Sequence, residues 1–296
     1  MATTYTQTWG GTHPGCLILL LDQSGSMSDP FGIAQAGSGR RKCDMVATVL
    51  NGFLNELIVT NTIACKDGST EVRPRAEVTV LGYEGDFIGP ILDGELYDQV
   101  FVSLPDLQMN PIDIETRHRK EIDETGVEIE IAVPFPIWVK PRAGGGTPMC
   151  AALRQARDLA WQWAMSHPDN YPPVIINVTD GMANDGDPLE PAQELCQIST
   201  ADGQTLLFNV HITDINSAPV MYPASENELP NDTYARKLFA MSSPIPATSC
   251  NLLESLTGRS VRPGARGLIF NGDAASVRQM FVFASIPATQ RLDPNR

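Results

Sequence analysis

The chain has 296 residues, of which 42% are hydrophobic and 19% are charged, and its formal net charge at pH 7 is −14. This length and apolar content suit one large α/β domain, or a domain with a long insertion, and argue against a globally disordered chain. The acidic balance argues against nucleic acid and anionic membranes as partners, because neutralising phosphates requires clustered Lys and Arg. It fits a soluble protein or one that holds cations.

Membrane and export signals are not evident in the sequence. No segment approaches the ~20 consecutive apolar residues of a membrane span, and no Lys or Arg precedes the first apolar run, as a secretory signal would require. We therefore expect a cytoplasmic location. The six cysteines are scattered without a C-x-x-C pair, so we expect reduced core residues rather than disulfides. They are Cys16, Cys43, Cys65, Cys150, Cys196 and Cys250.

Patterns typical of strands and helices alternate along the chain. Residues 16–21 form a continuous apolar run, which is typical of a strand buried on both faces of a parallel sheet. Residues 41–58 follow with paired apolar positions every four residues, the stripe of an amphipathic helix. Further strands are predicted over 76–82, 172–180, 205–214 and 267–272, and further helices from Pro148 and over 188–200, 234–241, 247–257 and 273–285. The alternation predicts an α/β fold with a doubly wound, mostly parallel open sheet.

One region breaks the alternation. Between about 85 and 142, Pro and Gly are frequent and a helical period is absent, so we predict an insertion within a single domain that spans 1–296, with its core at about 15–285. Inside the insertion, residues 114–122 and 127–133 alternate apolar and polar side chains, and the stretch DETG between them supplies a turn. This pattern predicts a β-hairpin over about 114–133.

Oxygen-bearing side chains follow the first predicted strand directly. Asp22, Ser24 and Ser26 alternate just past its carboxyl end, which is the edge of an open α/β sheet where ligands bind. Two other stretches reach the same edge: the loop AGGGTPM delivers Thr147 to a helix start, and NVTDGMANDG ends a buried strand on Asp180. Carboxylates and hydroxyls are the hard oxygen donors that Mg²⁺ and Ca²⁺ prefer. We call these three oxygen-rich segments, which carry Asp22 to Ser26, Thr147 and Asp180, the three corners. Their meeting at one edge of the sheet predicts a cation site.

Each corner also has a local explanation. The serines could cap the next helix, Thr147 could be the N-cap of the helix that follows it, and Asp180 could be an ordinary turn residue. Each of these is plausible by itself, but three oxygen-rich corners on one edge by chance are much less so.

The three corners together resemble the von Willebrand factor A fold, in which the pattern D-x-S-x-S, then T, then D forms a metal-ion-dependent adhesion site. All five positions match, at Asp22, Ser24, Ser26, Thr147 and Asp180. The forms DQSGSM and GGGTPM are similar to those of bacterial intracellular members, and within the family to stress-operon proteins of the tellurite-resistance type. The resemblance implies that the three hydroxyls coordinate Mg²⁺, or Mn²⁺ or Ca²⁺, and that the two carboxylates act directly or through water.

The resemblance also implies a function. A cation held by two carboxylates and neutral oxygens stays electron-poor, with a position for an Asp or Glu carboxylate from a partner protein. Family members work beside AAA ATPases, kinases, phosphatases and chelatases. We therefore expect a non-catalytic, cytoplasmic protein-binding module of a bacterial stress or signalling complex. The hairpin could add a second contact surface, with Ile114, Arg117, Arg119 and Glu128, or could only shield a sheet edge.

The alternative function is a metal-assisted hydrolase in which the same cation activates water. An enzyme needs a base or nucleophile aimed at the ion, and the motif loops offer no His, Lys or Cys in an obvious position. The histidines lack zinc-site spacing and are interpreted as structural or surface residues. The stretch AGSGRRK, residues 36–42, lacks the spacing of a phosphate-binding loop and is interpreted as a link between the metal loop and the first helix. A degenerate scaffold that binds no metal is a third option.

Overall fold

The computed structural model describes residues 4–31, 40–122, 126, 128–213 and 218–286. Its strands are β1 Gly15–Asp22, β2 Thr62–Ala64, β3 Thr70–Val72, β4 Ala76–Glu84, β5 Phe87–Pro90, β6 Val102–Ser103, β7 Asp113–Ile122, β8 Glu128–Ile137, β9 Val174–Thr179, β10 Ser199–Thr200, β11 Gly203–Gln204, β12 Leu206–Ile212, β13 Val220–Met221 and β14 Leu268–Gly272. Its α-helices are α1 Lys42–Thr60, α2 Leu104–Met109, α3 Met149–Ser166, α4 Leu189–Gln197, α5 Thr233–Met241, α6 Cys250–Thr257 and α7 Ala274–Ser285.

A mixed sheet of eight strands forms the centre of the described chain. Its order is β13-β14-β12-β9-β1-β4-β5, and β6 also pairs with β4. The inner strands β14, β12, β9, β1 and β4 are parallel, whereas β13, β5 and β6 pair antiparallel with their neighbours. Among the parallel strands, chain order runs outward from β1 in both directions, to β9, β12 and β14 on one side and to β4 on the other. The predicted doubly wound, mostly parallel α/β sheet is confirmed.

Strand β1 divides the core into two layers. All eight of its residues are buried. Alternate side chains point to opposite faces of a sheet, so Leu17, Leu19 and Leu21 join a cluster with residues of α1 and α7, while Ile18 and Leu20 join a second cluster with residues of α3, α4 and α5. A continuous apolar run is therefore required here, because neither face of the strand meets water.

Helix α1 is the longest in the described chain, and its apolar stripe packs on the sheet. Leu50, Phe53 and Leu54 are at most 1% exposed. By length and composition alone α1 could cross a membrane, and it is the one described helix that could. Burial of its apolar stripe against β1 and α7 is the arrangement of a core helix in a globular protein.

All six cysteines are free, as predicted. Cys16, Cys43 and Cys150 are buried, whereas the other three are only partly buried, so the expectation that all six belong to the core is only half correct. Burial raises the pKa of the Cys150 thiol to about 11.

The region predicted as an insertion, 85–142, includes two short strands of the main sheet. Its first part, β5 and β6, extends the main sheet by pairing with β4. The expectation that the region lacks helix is wrong for α2, where Pro105 stands in the first turn and the Ser103 side chain accepts a hydrogen bond from Asp106 N. Six residues are too few to show a helical period.

The hairpin prediction is confirmed and extended at its base. Strands β7 and β8 pair over ten residues each, from Asp113 with Ile137 to Ile122 with Glu128. The return strand thus continues four residues past Val133, through Pro134 and Pro136, which the alternating pattern could not include. The predicted turn at residues 123–125 lies outside the described residues.

One buried amide fastens the hairpin's return strand to the core. Asn51 of α1 donates from Nδ2 to the Val139 carbonyl at 2.8 Å, and its Oδ1 accepts from the main-chain N–H groups of Trp138 at 2.9 Å and Val139 at 3.1 Å. Asn51 is 2% exposed and Trp138 is 1% exposed. Because water cannot reach the segment 138–139 that follows β8, the Asn51 side chain supplies the hydrogen bonds that its backbone needs.

We expect Asn51→Ala to lower the free energy of unfolding by about 3 kcal/mol, because it leaves buried main-chain groups without partners. Asn110→Ala is the matched control, since Asn110 makes one surface bond to the Asp106 carbonyl at 2.9 Å; its cost should stay below ~1 kcal/mol. Urea unfolding of both variants measures the difference. Equal losses would show that Asn51 is not a specific anchor.

Candidate metal centre

Two of the predicted corners end neighbouring strands. β1 and β9 are parallel and in register, with Leu21 opposite Val178. Asp22 therefore ends β1 beside Thr179, the last residue of β9, and Asp180 follows directly. The prediction that these corners share the carboxyl edge of the sheet is confirmed by this pairing.

Hydroxyl groups connect the first corner to the second. The Asp22 Oδ1 atom accepts from the main-chain N–H of Ser24 at 2.8 Å. The Oγ atoms of Ser24 and Ser26 are 3.2 Å apart, and Ser26 Oγ donates to Asp180 Oδ1 at 2.7 Å. Four of the five predicted residues are thus joined by these contacts into one group.

Main-chain bonds bring the third corner against the other two. Gly144 N donates to the Gln23 carbonyl at 2.7 Å, and Gly25 N donates to the Gly145 carbonyl at 3.0 Å. Thr147 follows two residues later and is 8% exposed. Its carbonyl accepts from Asn184 N, in the loop after Asp180, at 3.1 Å. The Thr147 loop is therefore bonded to both neighbouring loops.

Glycine is required where the loops touch. Gly145 has φ of +62°, and a Cβ atom there would lie 2.8 Å from Gly85 N. A side chain would meet main chain, which cannot move aside as a flexible side chain could. Gly145, the middle glycine of the run in AGGGTPM, is thus explained by the close approach of two backbones at the edge of the site.

The local explanations for the motif residues are not what the structure shows. Helix α3 is capped by Asp185, whose Oδ1 and Oδ2 accept from Cys150 N at 3.0 Å and Ala151 N at 2.9 Å, and not by Thr147. Ser24 makes no side-chain cap to the short 3-10 helix Gly25–Ser28. The Asp180 carboxylate bonds to other elements and not to its own turn. Capping and turn formation therefore do not account for the side chains of Ser24, Thr147 and Asp180.

Asp22 is a buried carboxylate, at 2% exposure. Its Oδ2 accepts from Thr179 Oγ1 at 2.7 Å. Burial raises the pKa of Asp22 to about 6, against the lowering effect of the bonds from Ser24 and Thr179, because a carboxylate loses its hydration in the protein interior. A bound cation would favour the ionised form.

Sequence reasoning missed Lys42. Its Nζ lies 2.9 Å from Asp180 Oδ2 and 3.8 Å from Asp29 Oδ2, and its side chain is 7% exposed. The interpretation of residues 36–42 as a link is wrong for Lys42, which is the first residue of α1; residues 36–39 lie outside the described chain. The sequence has three consecutive basic residues, Arg40, Arg41 and Lys42, and no pattern shows which of them is buried.

Sequence reasoning also missed Thr179, whereas it interpreted His211 as a structural or surface residue. The Thr179 hydroxyl holds Asp22, as described above, and its place directly before the recognised Asp180 was the available signal. His211 stacks on Phe270 with 4.3 Å between ring centroids and meets Tyr234 edge-on at 5.6 Å. Burial lowers the pKa of His211 to about 4, so the ring is neutral at pH 7. Its role in the packing agrees with the structural interpretation of the histidines.

The donor set suits a small, hard divalent cation. It combines two carboxylates with three hydroxyls, and the described residues hold no group of three or more His, Cys, Asp or Glu side chains placed for a metal. Adjacent ligands of an octahedral ion bound at ~2.1 Å are about 3 Å apart, which is close to the 3.2 Å between Ser24 Oγ and Ser26 Oγ. Hydroxyl-rich sets of this kind favour Mg²⁺, Mn²⁺ or Ca²⁺ over zinc.

The hairpin residues predicted to meet a partner are mostly engaged within the hairpin. The Arg117 guanidinium lies over the Phe135 ring at 3.3 Å from its centroid, and Arg119 pairs with Glu121. Glu128 accepts from Lys120 Nζ at 2.7 Å. Ile114 is 57% exposed. Their part in partner binding stays a prediction.

No protein-family model matches the sequence, and no curated protein matches it.

We expect Asp22→Asn to stabilise the metal-free protein at pH 8. A rise in pKa from 3.8 to about 6 means that the fold is destabilised by about 3 kcal/mol above pH 7, and that the cost disappears as pH falls below 3.8. The difference in unfolding free energy between Asp22→Asn and wild type, measured by urea unfolding in EDTA, should therefore shrink by about 2 kcal/mol from pH 8 to pH 4.5.

Asp44→Asn provides the opposite control. The hydrogen bond from Arg41 lowers the pKa of Asp44, so its carboxylate stabilises the fold at pH above its unfolded value and the contribution is lost as pH falls. The Asp44 variant should lose stability relative to wild type as pH rises. If Asp22→Asn followed the same trend as Asp44→Asn, the Asp22 carboxylate would not carry a burial cost.

Proposed function

We propose that this chain is a metal-dependent protein-binding module of the von Willebrand factor A type. Asp22, Ser24, Ser26, Thr147 and Asp180 would hold one divalent cation, Mg²⁺ or otherwise Mn²⁺ or Ca²⁺. The observation that carries the proposal is the contact of Ser26 Oγ with Asp180 Oδ1 at 2.7 Å, which joins two motif corners that are separated by 154 positions. The match of all five positions to one motif supports it.

The chain's own residues would prepare the site for a ligand. Ser24 N and Thr179 Oγ1 orient the Asp22 carboxylate through both of its oxygens. The glycine loop holds the Thr147 segment by main-chain bonds that no side-chain motion disturbs. The cation, when bound, would supply a Lewis-acidic position for an outside oxygen. An Asp or Glu carboxylate of a protein partner is the natural occupant.

The surroundings of the site support binding rather than hydrolysis. A hydrolase would need a base near the ion. In the described parts of the chain the nearby candidates are engaged: His211 Nδ1 accepts from Asn271 N at 3.4 Å and the ring faces the Asp180 carbonyl, and the Lys42 ammonium is paired with Asp180. Cys150 is buried, with its thiol pKa raised to about 11. The hydrolase remains the second candidate, to be tested with phosphate and ester substrates.

The cellular setting forms part of the proposal. The acidic chain, the free cysteines and the core position of α1 support a cytoplasmic module. The motif forms suggest a bacterial stress or signalling complex of the tellurite-resistance type, in which an AAA ATPase, kinase or phosphatase of the same operon supplies the carboxylate. The hairpin β7–β8 would add a second contact surface to this partner.

Mn²⁺ titration by calorimetry tests the site. We expect wild-type protein to bind one ion, and Ser26→Ala to weaken binding at least tenfold, which is ~1.4 kcal/mol. Ser28→Ala is the matched control: Ser28 lies in the same short helix and its hydroxyl donates to the Gly25 carbonyl at 2.7 Å, so the variant should bind as wild type. At about 100 times Kd the ion should add ~2.7 kcal/mol of stability, reversed by EDTA. Equal binding by Ser26→Ala and wild type would refute the assignment.

The hairpin can be shortened at a position that the strand register defines. His118 pairs with Ala132, so residues 119–131 can be replaced by the two-residue turn Asn-Gly. This change keeps Arg117 and its contact with the Phe135 ring, which also faces Gly52 of α1. The partner is the protein that metal-loaded wild type retains in a pull-down and that EDTA releases. We expect the shortened chain to keep the Mn²⁺ affinity and melting temperature of wild type but to bind this partner at least tenfold more weakly. Normal partner binding by the shortened chain would mean that the hairpin is architectural.

A further inference from the structure

Lys42 is a buried cation inside the candidate centre. A Lys side chain is almost never fully buried unless it is paired, and this one is 7% exposed with its Nζ 2.9 Å from Asp180 Oδ2. Its backbone is fixed as well, because Lys42 N donates to the Asp29 carbonyl at 3.0 Å. The main chain and the ammonium of Lys42 are therefore both held at the centre.

Both oxygens of the Asp180 carboxylate are already engaged. Oδ1 accepts from Ser26 and Oδ2 from Lys42. The Asp180 side chain is fully buried, whereas the second acidic neighbour of Lys42, Asp29, is 55% exposed and 3.8 Å away. Water screens Asp29 and not Asp180, so the ammonium acts chiefly on Asp180.

Charge at the centre depends on Lys42. Asp22 and Asp180 together would offer two negative charges to a divalent cation, but the Lys42 ammonium cancels one of them. A divalent ion then meets a positive neighbour, which lowers its affinity, and the loaded centre keeps a net positive charge, which favours an incoming carboxylate.

We propose that Lys42 is the resident counter-ion of the centre: it neutralises Asp180 when no metal is bound and competes with the divalent cation for that carboxylate. Lys42 is thus a residue that determines metal affinity without being a ligand. The inference rests on the metal function proposed above, and it adds that the chain's own ammonium limits metal loading.

Charge and hydrogen bonding can be separated by substitution. Lys42→Gln keeps a donor for Asp180 Oδ2 but removes the charge, and Lys42→Arg keeps the charge. Arg41→Gln is the matched control, because it removes the same charge one residue away, at a side chain that is 46% exposed and paired with Asp44 at 2.7 Å. The probe is Mn²⁺ alone, with free ion measured by electron paramagnetic resonance.

We expect Lys42→Gln to bind Mn²⁺ at least tenfold more tightly than wild type, and Lys42→Arg and Arg41→Gln to stay within about threefold. Melting temperatures supply a second readout. In EDTA, Lys42→Gln should melt below wild type, because Asp180 loses its counter-ion. In saturating Mn²⁺ the order should reverse. A Lys with only a packing role would lower the melting temperature under both conditions and leave Mn²⁺ affinity unchanged, which would overturn the proposal.

Other outcomes separate this inference from the proposed function. If wild type binds Mn²⁺ in a Ser26-dependent way but Lys42→Gln binds no more tightly, the counter-ion proposal fails alone. If Lys42→Gln binds in a Ser26-dependent way while wild type does not bind, the counter-ion proposal is supported and the native metal function fails. If neither protein binds Mn²⁺, both fail.

Discussion

The burial of a carboxylate at the end of the central strand is the constraint on which the centre depends. β1 is buried along its whole length, so Asp22 at its end is also removed from water, at 2% exposure. A carboxylate in that position requires donors and positive charge. Ser24 N and Thr179 Oγ1 supply the donors, and they fix the loop after β1 and the end of β9 relative to each other. Positive charge reaches the centre from Lys42 through Asp180.

These contacts close into a ring. Asp22 is bonded to Ser24, Ser24 lies beside Ser26, Ser26 is bonded to Asp180, and Asp180 adjoins Thr179, which returns to Asp22. A ring of this kind restricts each member by two neighbours, so the chain itself fixes the positions of the oxygen atoms. The glycine loop supports the ring from one side through main-chain atoms alone.

Periodicity predicted the parts of the fold in which side-chain pattern and burial coincide. β1 and α1 were found because a run buried on both faces and a helical stripe each leave a clear pattern, and the hairpin because β7 and β8 alternate. The hairpin's base was cut short at Pro134, since proline is disfavoured in strands. Asp22, Ser24 and Ser26 were recognisable because a strand end and a loop place them in one short stretch.

The partners of these residues could not be predicted, because they come from distant elements. Asn51 looks like an ordinary polar residue in a helix until β8 delivers Trp138 beside it. Asp185 caps α3, although it follows Cys150 by 35 positions. Lys42 stands among three basic residues, and only the approach of β9 to the start of α1 selects it. Such contacts depend on packing between elements, which local sequence does not encode.

The ring has a consequence for the order of folding. The hairpin β7–β8 pairs residues that are close in sequence, so it can form early and by itself. The bond from Thr179 to Asp22 instead spans 157 positions, and it exists only after β1 and β9 have met across most of the domain. Contacts of such separation are slow to form because a long stretch of chain must first be closed. The centre is therefore assembled late, and its geometry reports whether the sheet has closed in its native register.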